Sequence, residues 1–173
     1  MKTESADQRL SELLVVLDRL TELHRELLGA VRDKIEHMRS GDTAQLQADA
    51  VRHESLLKTI HEQEGLRRQL MDAVGRGYGI NPQVARRMPA RQLAERIEGR
   101  LRSGLLEAAG RLRGVVRETS ELNRVAVLIA QQVLHHLRCV FEAVAAPDGR
   151  PNTYSPHGTV VPSGTRRLFE MTG

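Results

Sequence analysis

The sequence predicts an all-α protein: an elongated antiparallel bundle or coiled coil of three long helices, followed by a non-helical C-terminal tail. Three observations carry this prediction. Aliphatic residues recur at alternating steps of four and three along three segments, which is the spacing of a helical seam. Aromatic residues make up only 2% of the 173 residues, with no tryptophan, as is typical of helical bundles. Four of the six prolines fall after residue 146, where each removes an amide donor and interrupts a helix.

The first predicted helix covers residues 5–38. Its seam consists of Leu10, Leu14, Leu17, Thr21, His24, Leu28, Val31, Ile35 and Met38. Four further leucines lie beside the seam: Leu13, Leu20, Leu23 and Leu27. A stripe this wide favours a bundle of three or more helices over a two-stranded coiled coil. A turn is predicted at Gly41, which can take the left-handed conformation that ends a helix, and Asp42 or Thr43 can cap the next helix.

The second predicted helix covers residues 43–74 and has a weaker seam. Because the turn before it is short, the first two helices should form an antiparallel hairpin. The glycines and the proline of residues 75–82 predict a loop. Residues 83–98 are expected to form one or two short helices, with Pro89 at or near the first turn of the second.

The third long helix is predicted over residues 98–145. Its seam runs along Leu101, Leu105, Ala108, Leu112, Val115, Thr119, Leu122, Ala126, Ile129 and Val133. Four glycines fall in its first half: Gly99, Gly104, Gly110 and Gly114. Since each costs about 1 kcal/mol relative to alanine, that half should be looser than the second or packed closely against another backbone. We therefore expect a helical domain over residues 1–146 and an extended C-terminal tail over residues 147–173.

The charge balance and the apolar runs predict a cytoplasmic protein that does not insert into membranes. The net charge is only +4. The most apolar run, residues 125–130, is far shorter than the roughly 20 residues that a bilayer requires, and the N-terminus lacks the apolar core of a signal peptide. The single cysteine, Cys139, fits a reducing compartment, and we expect it to be a small buried core residue.

No pattern in the sequence predicts catalysis, a metal site or a cofactor site, and no small-molecule substrate is expected. The seven histidines lack the Glu-x-x-His spacing of di-iron bundles and the paired spacing of zinc proteases. His135 and His136 are adjacent, so they diverge by about 100° on a helix. A phosphotransfer histidine would have to be exposed, whereas His24 lies on the seam of the first helix.

Arginines are concentrated between residues 86 and 117, with few acidic residues among them. Such a segment is compatible with nucleic-acid binding. Because no aromatic residues are interleaved for base stacking, a solvated face or a patch for an acidic protein partner is the favoured interpretation.

Several short motifs are each common alone, but their order along the chain is distinctive. A leucine-rich first helix is followed by a turn at Gly41 and Asp42 and by a Glu-Leu-Leu step in the second helix. The residues of that second-helix element are Glu54, Leu56, Leu57, Glu64 and Arg67. Asn123 lies near the middle of the third long helix, and a Tyr-x-x-x-Gly element, from Tyr154 to Gly158, comes after it. In this order the chain resembles the FlgN-type flagellar export chaperones, and the likeness covers most of the chain.

The resemblance implies a binding function without catalysis. Members of this family hold the hook–filament junction (hook-associated) proteins before type III export. They then deliver these clients to the export gate, whose cytoplasmic domain is a further expected partner. Junction proteins keep amphipathic terminal helices exposed until assembly, and an apolar groove can cover such a helix.

The second half of the third long helix is the predicted client-binding groove. Its candidate residues lie outside the main seam or extend it, and are Leu134, Leu137, Phe141 and Val144. The alternative is that these four side chains pack on the first helix. Tyr154 is predicted to be a binding anchor, presented by a turn at Gly158, because a tyrosine ring offers a large apolar area and a hydroxyl group. The alternative for Tyr154 is that the ring folds back on the third helix and only tethers the tail.

The competing class of function is a structural or scaffold coiled-coil protein, including one that associates with nucleic acid through its arginine-rich segment. Both classes require the helical seams. Co-purification with a candidate junction protein distinguishes them.

Overall fold

The computed structural model describes residues 2–145, and every regular element within that range is an α-helix. The helices are α1 (Lys2–Ser40), α2 (Thr43–Gly77), α3 (Pro82–Arg87), α4 (Ala90–Ala94) and α5 (Arg100–Ala145). The all-α class and the packing of long helices into a bundle are therefore confirmed. The predicted tail, residues 147–173, lies outside the described residues.

The chain divides into two compact units, Met1–Ile129 and Ala130–Gly173. The first unit contains α1 to α4 and the part of α5 up to Ile129. The described part of the second unit is the rest of α5, residues 130–145. The expected domain division after residue 146 stays a prediction.

The connection between α1 and α2 is a short turn whose geometry follows from Gly41 and Asp42. Gly41 has a φ of 72°, in the left-handed region that glycine adopts without strain. The Asp42 side chain accepts a hydrogen bond from the Gln45 amide at 3.0 Å, which satisfies one of the free amides at the start of α2. Both roles match the prediction for this turn.

Polar contacts at both ends of the α1–α2 pair show that the two helices run antiparallel. Near the turn, Arg52 Nη1 lies 3.2 Å from Asp33 Oδ2. At the far end, the Tyr78 hydroxyl donates a hydrogen bond to Asp7 Oδ1 at 3.2 Å. The two helices therefore remain side by side along their length.

Within the first unit, α5 packs along α1. Arg111 Nη2 lies 2.7 Å from Asp18 Oδ1, and the Thr119 hydroxyl lies 3.3 Å from the His24 carbonyl oxygen. Further along both helices, Ala126 packs with aliphatic residues near the end of α1. Because these contacts advance along both helices in the same direction, this part of α5 runs parallel to α1.

The core of the first unit is built mainly from the leucine stripe of α1. Its fully buried aliphatic side chains include Leu10, Leu13, Leu20, Leu23 and Val31 from α1, Val74 from α2, Leu93 from α4 and Leu105 from α5. Burying one such side chain contributes about 1.5–3 kcal/mol. The four leucines that widen the predicted seam are all buried, which explains why α1 is covered by more than one partner helix.

Four predicted helix boundaries differ from the observed ones by two or three residues: both ends of α1, the end of α2 and the start of α5. α2 does not end at Val74 but continues to Gly77. Gly75 and Gly77 lie inside this helix, and their missing side chains make room for Ala85 of α3 and Ala6 of α1. α5 begins at Arg100 rather than at residue 98, since Gly99 has a φ of 70° and lies outside the helix.

The remaining glycines of α5 do not show the close backbone approach that was one of the two expectations. A Cβ atom on Gly104 would have only the Leu14 side chain within 4 Å, and nothing would lie within 4 Å at Gly110 or Gly114. Among residues 2–145, no helix is both long enough and apolar enough to cross a membrane.

Candidate functional site

The described part of the second unit presents an exposed row of apolar side chains on one helical segment. Leu134, Leu137, Phe141 and Val144 are 66%, 46%, 69% and 76% exposed. Their spacing of three, four and three residues places them on one face of α5. These are the four residues that the sequence singles out, and their role in binding stays a prediction.

Two further residues belong to the same face. Val133 is 38% exposed and Val140 is 44% exposed. Val133 keeps the spacing of the α5 seam but is exposed, since the buried positions of that seam end at Ala126 and Ile129 is partly buried. Val140 was missed, although its spacing of seven residues from Val133 is visible in the sequence. We call the whole set the apolar stripe: Val133, Leu134, Leu137, Val140, Phe141 and Val144.

Cys139 is exposed, so the prediction that it is a small buried core residue is wrong. The reason is its position, since residues 131–144 are all exposed. Its Sγ lies 3.7 Å from Nε2 of His135, one helical turn earlier. Over the described range, no group of three or more His, Cys, Asp and Glu side chains is placed to hold a metal ion.

The remaining predicted site residues, Tyr154 and Gly158, lie outside the described residues. His24 occupies the predicted seam of α1, and its Nδ1 atom is buried without a hydrogen-bond partner. Burial lowers the pKa of His24, and the nearby Glu64 carboxylate opposes this effect. His24 is partly exposed, whereas the side chain of a phosphotransfer histidine has to be fully accessible to its phosphodonor.

The arginine-rich segment is divided among several environments. Arg111 pairs with Asp18 at 2.7 Å, and Arg117 lies 3.9 Å from Glu121. Arg86 on α3 reaches the carboxylate of Asp72 on α2. Part of the positive charge is thus used inside the first unit to hold helices together.

The family model described as FlgN protein matches residues 1–162 of the chain. The chain belongs to the FlgN family. No curated protein and no solved structure gives a significant match. FlgN proteins are chaperones of flagellum biogenesis and bind flagellar export substrates. The FlgN match includes all five helices and extends over Tyr154 and Gly158.

Proposed function

We propose that this FlgN-family chain is a cytoplasmic type III flagellar export chaperone whose clients are the hook–filament junction proteins. The observation that carries the proposal is the exposed apolar stripe on residues 133–144. A contiguous apolar patch rimmed by polar residues is typical of a surface that binds another protein.

The stripe has the geometry that an amphipathic client helix requires. Its members recur at steps of three, four and seven residues, the spacing at which one helix packs against another. Fully burying a leucine or phenylalanine side chain contributes about 1.5–3 kcal/mol. Covering the stripe with a client helix therefore supplies a driving force and also protects the apolar face of the client from aggregation.

Few charged residues lie beside the stripe, which favours recognition of the client by its apolar side chains over recognition by its charges. Arg138 and Glu142 are the only charged residues in the sequence segment 130–145. They carry opposite charges and lie four residues apart. A client is therefore selected by the pattern of its apolar anchors, and these two charges contribute mainly to the register of the two helices.

The export gate is the second proposed partner. The FlgN match extends over Tyr154 and Gly158, the Tyr-x-x-x-Gly element that follows the last long helix in the sequence. A tyrosine loses little conformational entropy on binding and offers both an apolar ring and a hydroxyl group. We assign to Tyr154 the docking of the chaperone on the cytoplasmic domain of the gate.

The decisive experiment measures the affinity of the purified chain for a purified hook-associated protein by calorimetry. Phe141→Asp places a carboxylate at the centre of the apolar stripe. Burying that charge without a partner costs several kcal/mol, so the affinity should fall more than about a hundredfold. Because Phe141 is exposed, the helical content and the melting temperature should stay those of the wild type.

Val15→Asp is the matched control. Val15 of α1 is 68% exposed and Phe141 is 69% exposed, so the same charge is introduced at an equally exposed apolar position outside the stripe. Client affinity should be unchanged in this variant. Equal affinities for Phe141→Asp and the wild type, or unfolding of Phe141→Asp, would contradict the proposed site. A stable homodimer that Phe141→Asp dissociates, without any client binding, would favour the scaffold interpretation.

A further inference from the structure

We propose that the cleft between α2 and α3 binds an acidic peptide segment of a partner protein, separately from the client helix. The cleft has a volume of about 610 Å³. It is lined by His61, Gly65, Arg68 and Gln69 of α2 and by Arg86 and Arg87 of α3. We call this set the arginine cleft. Three guanidinium groups line it and no carboxylate does.

Two carboxylates near the arginine cleft, those of Asp72 and Glu64, already pair with arginines. Asp72 is 6% exposed, and its Oδ2 atom lies 3.1 Å from Arg86 Nη2 and 3.4 Å from Arg76 Nη2. Glu64 pairs with Arg67 at 2.9 Å. Since one carboxylate is shared by two arginines, the surroundings of the cleft keep an excess of positive charge.

Two of the three cleft arginines are available to a ligand. Arg68 donates from Nε to the Glu64 carbonyl oxygen at 3.2 Å, a contact that leaves its two Nη atoms unused. For Arg87, which is exposed, there is no ion pair or side-chain hydrogen bond to any other described residue. A guanidinium group carries five donors in a planar fork that matches a carboxylate, so an Asp or Glu side chain is the complementary ligand.

The cleft is held open by the way α3 is fixed to α2. Gly75 allows Ala85 to approach so closely that a Cβ atom on Gly75 would overlap its side chain. The Asn81 side chain caps α3 by accepting a hydrogen bond from the Gln83 amide at 2.9 Å. The ion pair between Arg86 and Asp72 is the second contact that joins α3 to α2. The arginines are therefore positioned before a ligand arrives, which lowers the entropic cost of binding.

An acidic peptide fits this site better than a nucleic acid does. No aromatic ring lines the cleft, whereas proteins that bind single strands stack bases on aromatic side chains. The positive groups form a compact cluster rather than a long track for a phosphate backbone. The stripe of the second unit is apolar, so the two surfaces recognise different chemical features.

The test uses the full chain and a fluorescein-labelled hexaglutamate peptide, with binding followed by fluorescence anisotropy at low salt. Arg87→Glu and Arg68→Glu should each weaken binding about tenfold or more, since each variant loses a charged hydrogen bond to the peptide and gains a repelling carboxylate. Arg113→Glu is the control: Arg113 is an exposed arginine of α5 outside the cleft, and the variant has the same net charge.

The proposal is supported if the cleft variants lose peptide binding, the control keeps it and all three melt like the wild type. It is overturned if the wild type does not bind the peptide, or if Arg113→Glu weakens binding as much as Arg87→Glu does. It is also overturned if a single-stranded oligonucleotide of equal charge binds more tightly than the peptide and loses affinity in Arg87→Glu. Client affinity should be unchanged in every cleft variant, so this test is independent of the test at Phe141.

Discussion

The contact between His37 and Asp49 makes the α1–α2 hairpin sensitive to pH. Asp49 is 6% exposed, and its Oδ2 atom lies 2.7 Å from His37 Nδ1. This hydrogen bond raises the pKa of His37 above its ordinary value of 6.5. Partial desolvation opposes the increase, and the carboxylates of Asp49, Asp42 and Asp33 add to it. A base with a raised pKa binds its proton more tightly in the folded state, so the contact stabilises the fold fully below the unfolded pKa. That stabilisation is lost as the pH rises through the folded pKa.

His37→Ala should therefore destabilise the protein more in acid than in base. We expect its melting temperature to lie further below that of the wild type at about pH 5.5 than at about pH 8.5. Burial lowers the pKa of His24 and of His53, which gives the opposite pH dependence. Both residues are present in the two proteins compared, so their effect cancels in the difference.

His136→Ala is the control for this experiment. His136 is exposed and lies on the described part of the second unit, away from the hairpin turn in sequence. The difference between His136→Ala and the wild type should not change with pH. A pH-independent difference for His37→Ala would show that the ring stabilises the hairpin by packing alone.

Residues whose role depends on near neighbours in the chain can be predicted from the sequence. Gly41 and Asp42 act within one turn, and their predicted roles are confirmed by the φ angle and the capping bond. The pairing of Asp72 with Arg86 depends on how α3 packs on α2, and the sequence carries no periodic signal for it. Cys139 was predicted wrongly for a similar reason, because helical spacing does not say whether a face is covered.

At the level of elements, the close approach of α3 to α2 depends on Gly75. A Cβ atom there would overlap the Ala85 side chain, which is too short to move aside. We expect Gly75→Ala to lower the free energy of unfolding by about 1–2 kcal/mol, since overpacking costs more than the better helix propensity of alanine returns. Urea denaturation followed by circular dichroism measures this difference.

Gly110→Ala provides the matched comparison for Gly75→Ala. Gly110 lies inside α5, and nothing would meet a Cβ atom within 4 Å. The same substitution should therefore raise the free energy of unfolding by about 0.5–1 kcal/mol. If Gly75→Ala stabilises the protein as Gly110→Ala does, the packing of α3 on α2 is looser than the structure indicates.

The spacing of apolar residues predicts well which segments are helices, but it predicts poorly what packs against their apolar faces. The alternating spacing on α1 and α5 predicted both helices and most of their buried residues, because the periodicity of an apolar face depends only on residues within the same segment. It failed at Val133, which keeps the spacing but is exposed. The spacing states that a face is apolar, whereas only packing decides whether another element of the chain or a partner covers it.

For the whole molecule, the two units carry surfaces of different chemistry. The first unit contains the leucine core and the arginine cleft, and the second presents the apolar stripe. The FlgN membership of the chain gives the class of function. The sequence predicted that membership from the order of its motifs, and it predicted four of the six stripe residues. The arginine cleft could not be predicted, because its two walls lie on different helices and are brought together by the contact of Gly75 with Ala85 and by the ion pair between Arg86 and Asp72.

Tyr154→Ala tests whether the chaperone uses Tyr154 to bind the export gate and a different surface to bind its client. If Tyr154 docks on the export gate, the variant should keep the melting temperature and the client affinity of the wild type and bind the cytoplasmic domain of the gate more weakly. Tyr154→Phe is the control, because it keeps the apolar ring and removes only the hydroxyl group, and so it should retain most of the gate affinity. About 1 kcal/mol shifts the melting temperature of a domain of this size by roughly 2–4 °C. A melting temperature several degrees lower with unchanged gate binding would therefore identify Tyr154 as a structural tether, because a docking residue contributes nothing to the stability of the free chaperone.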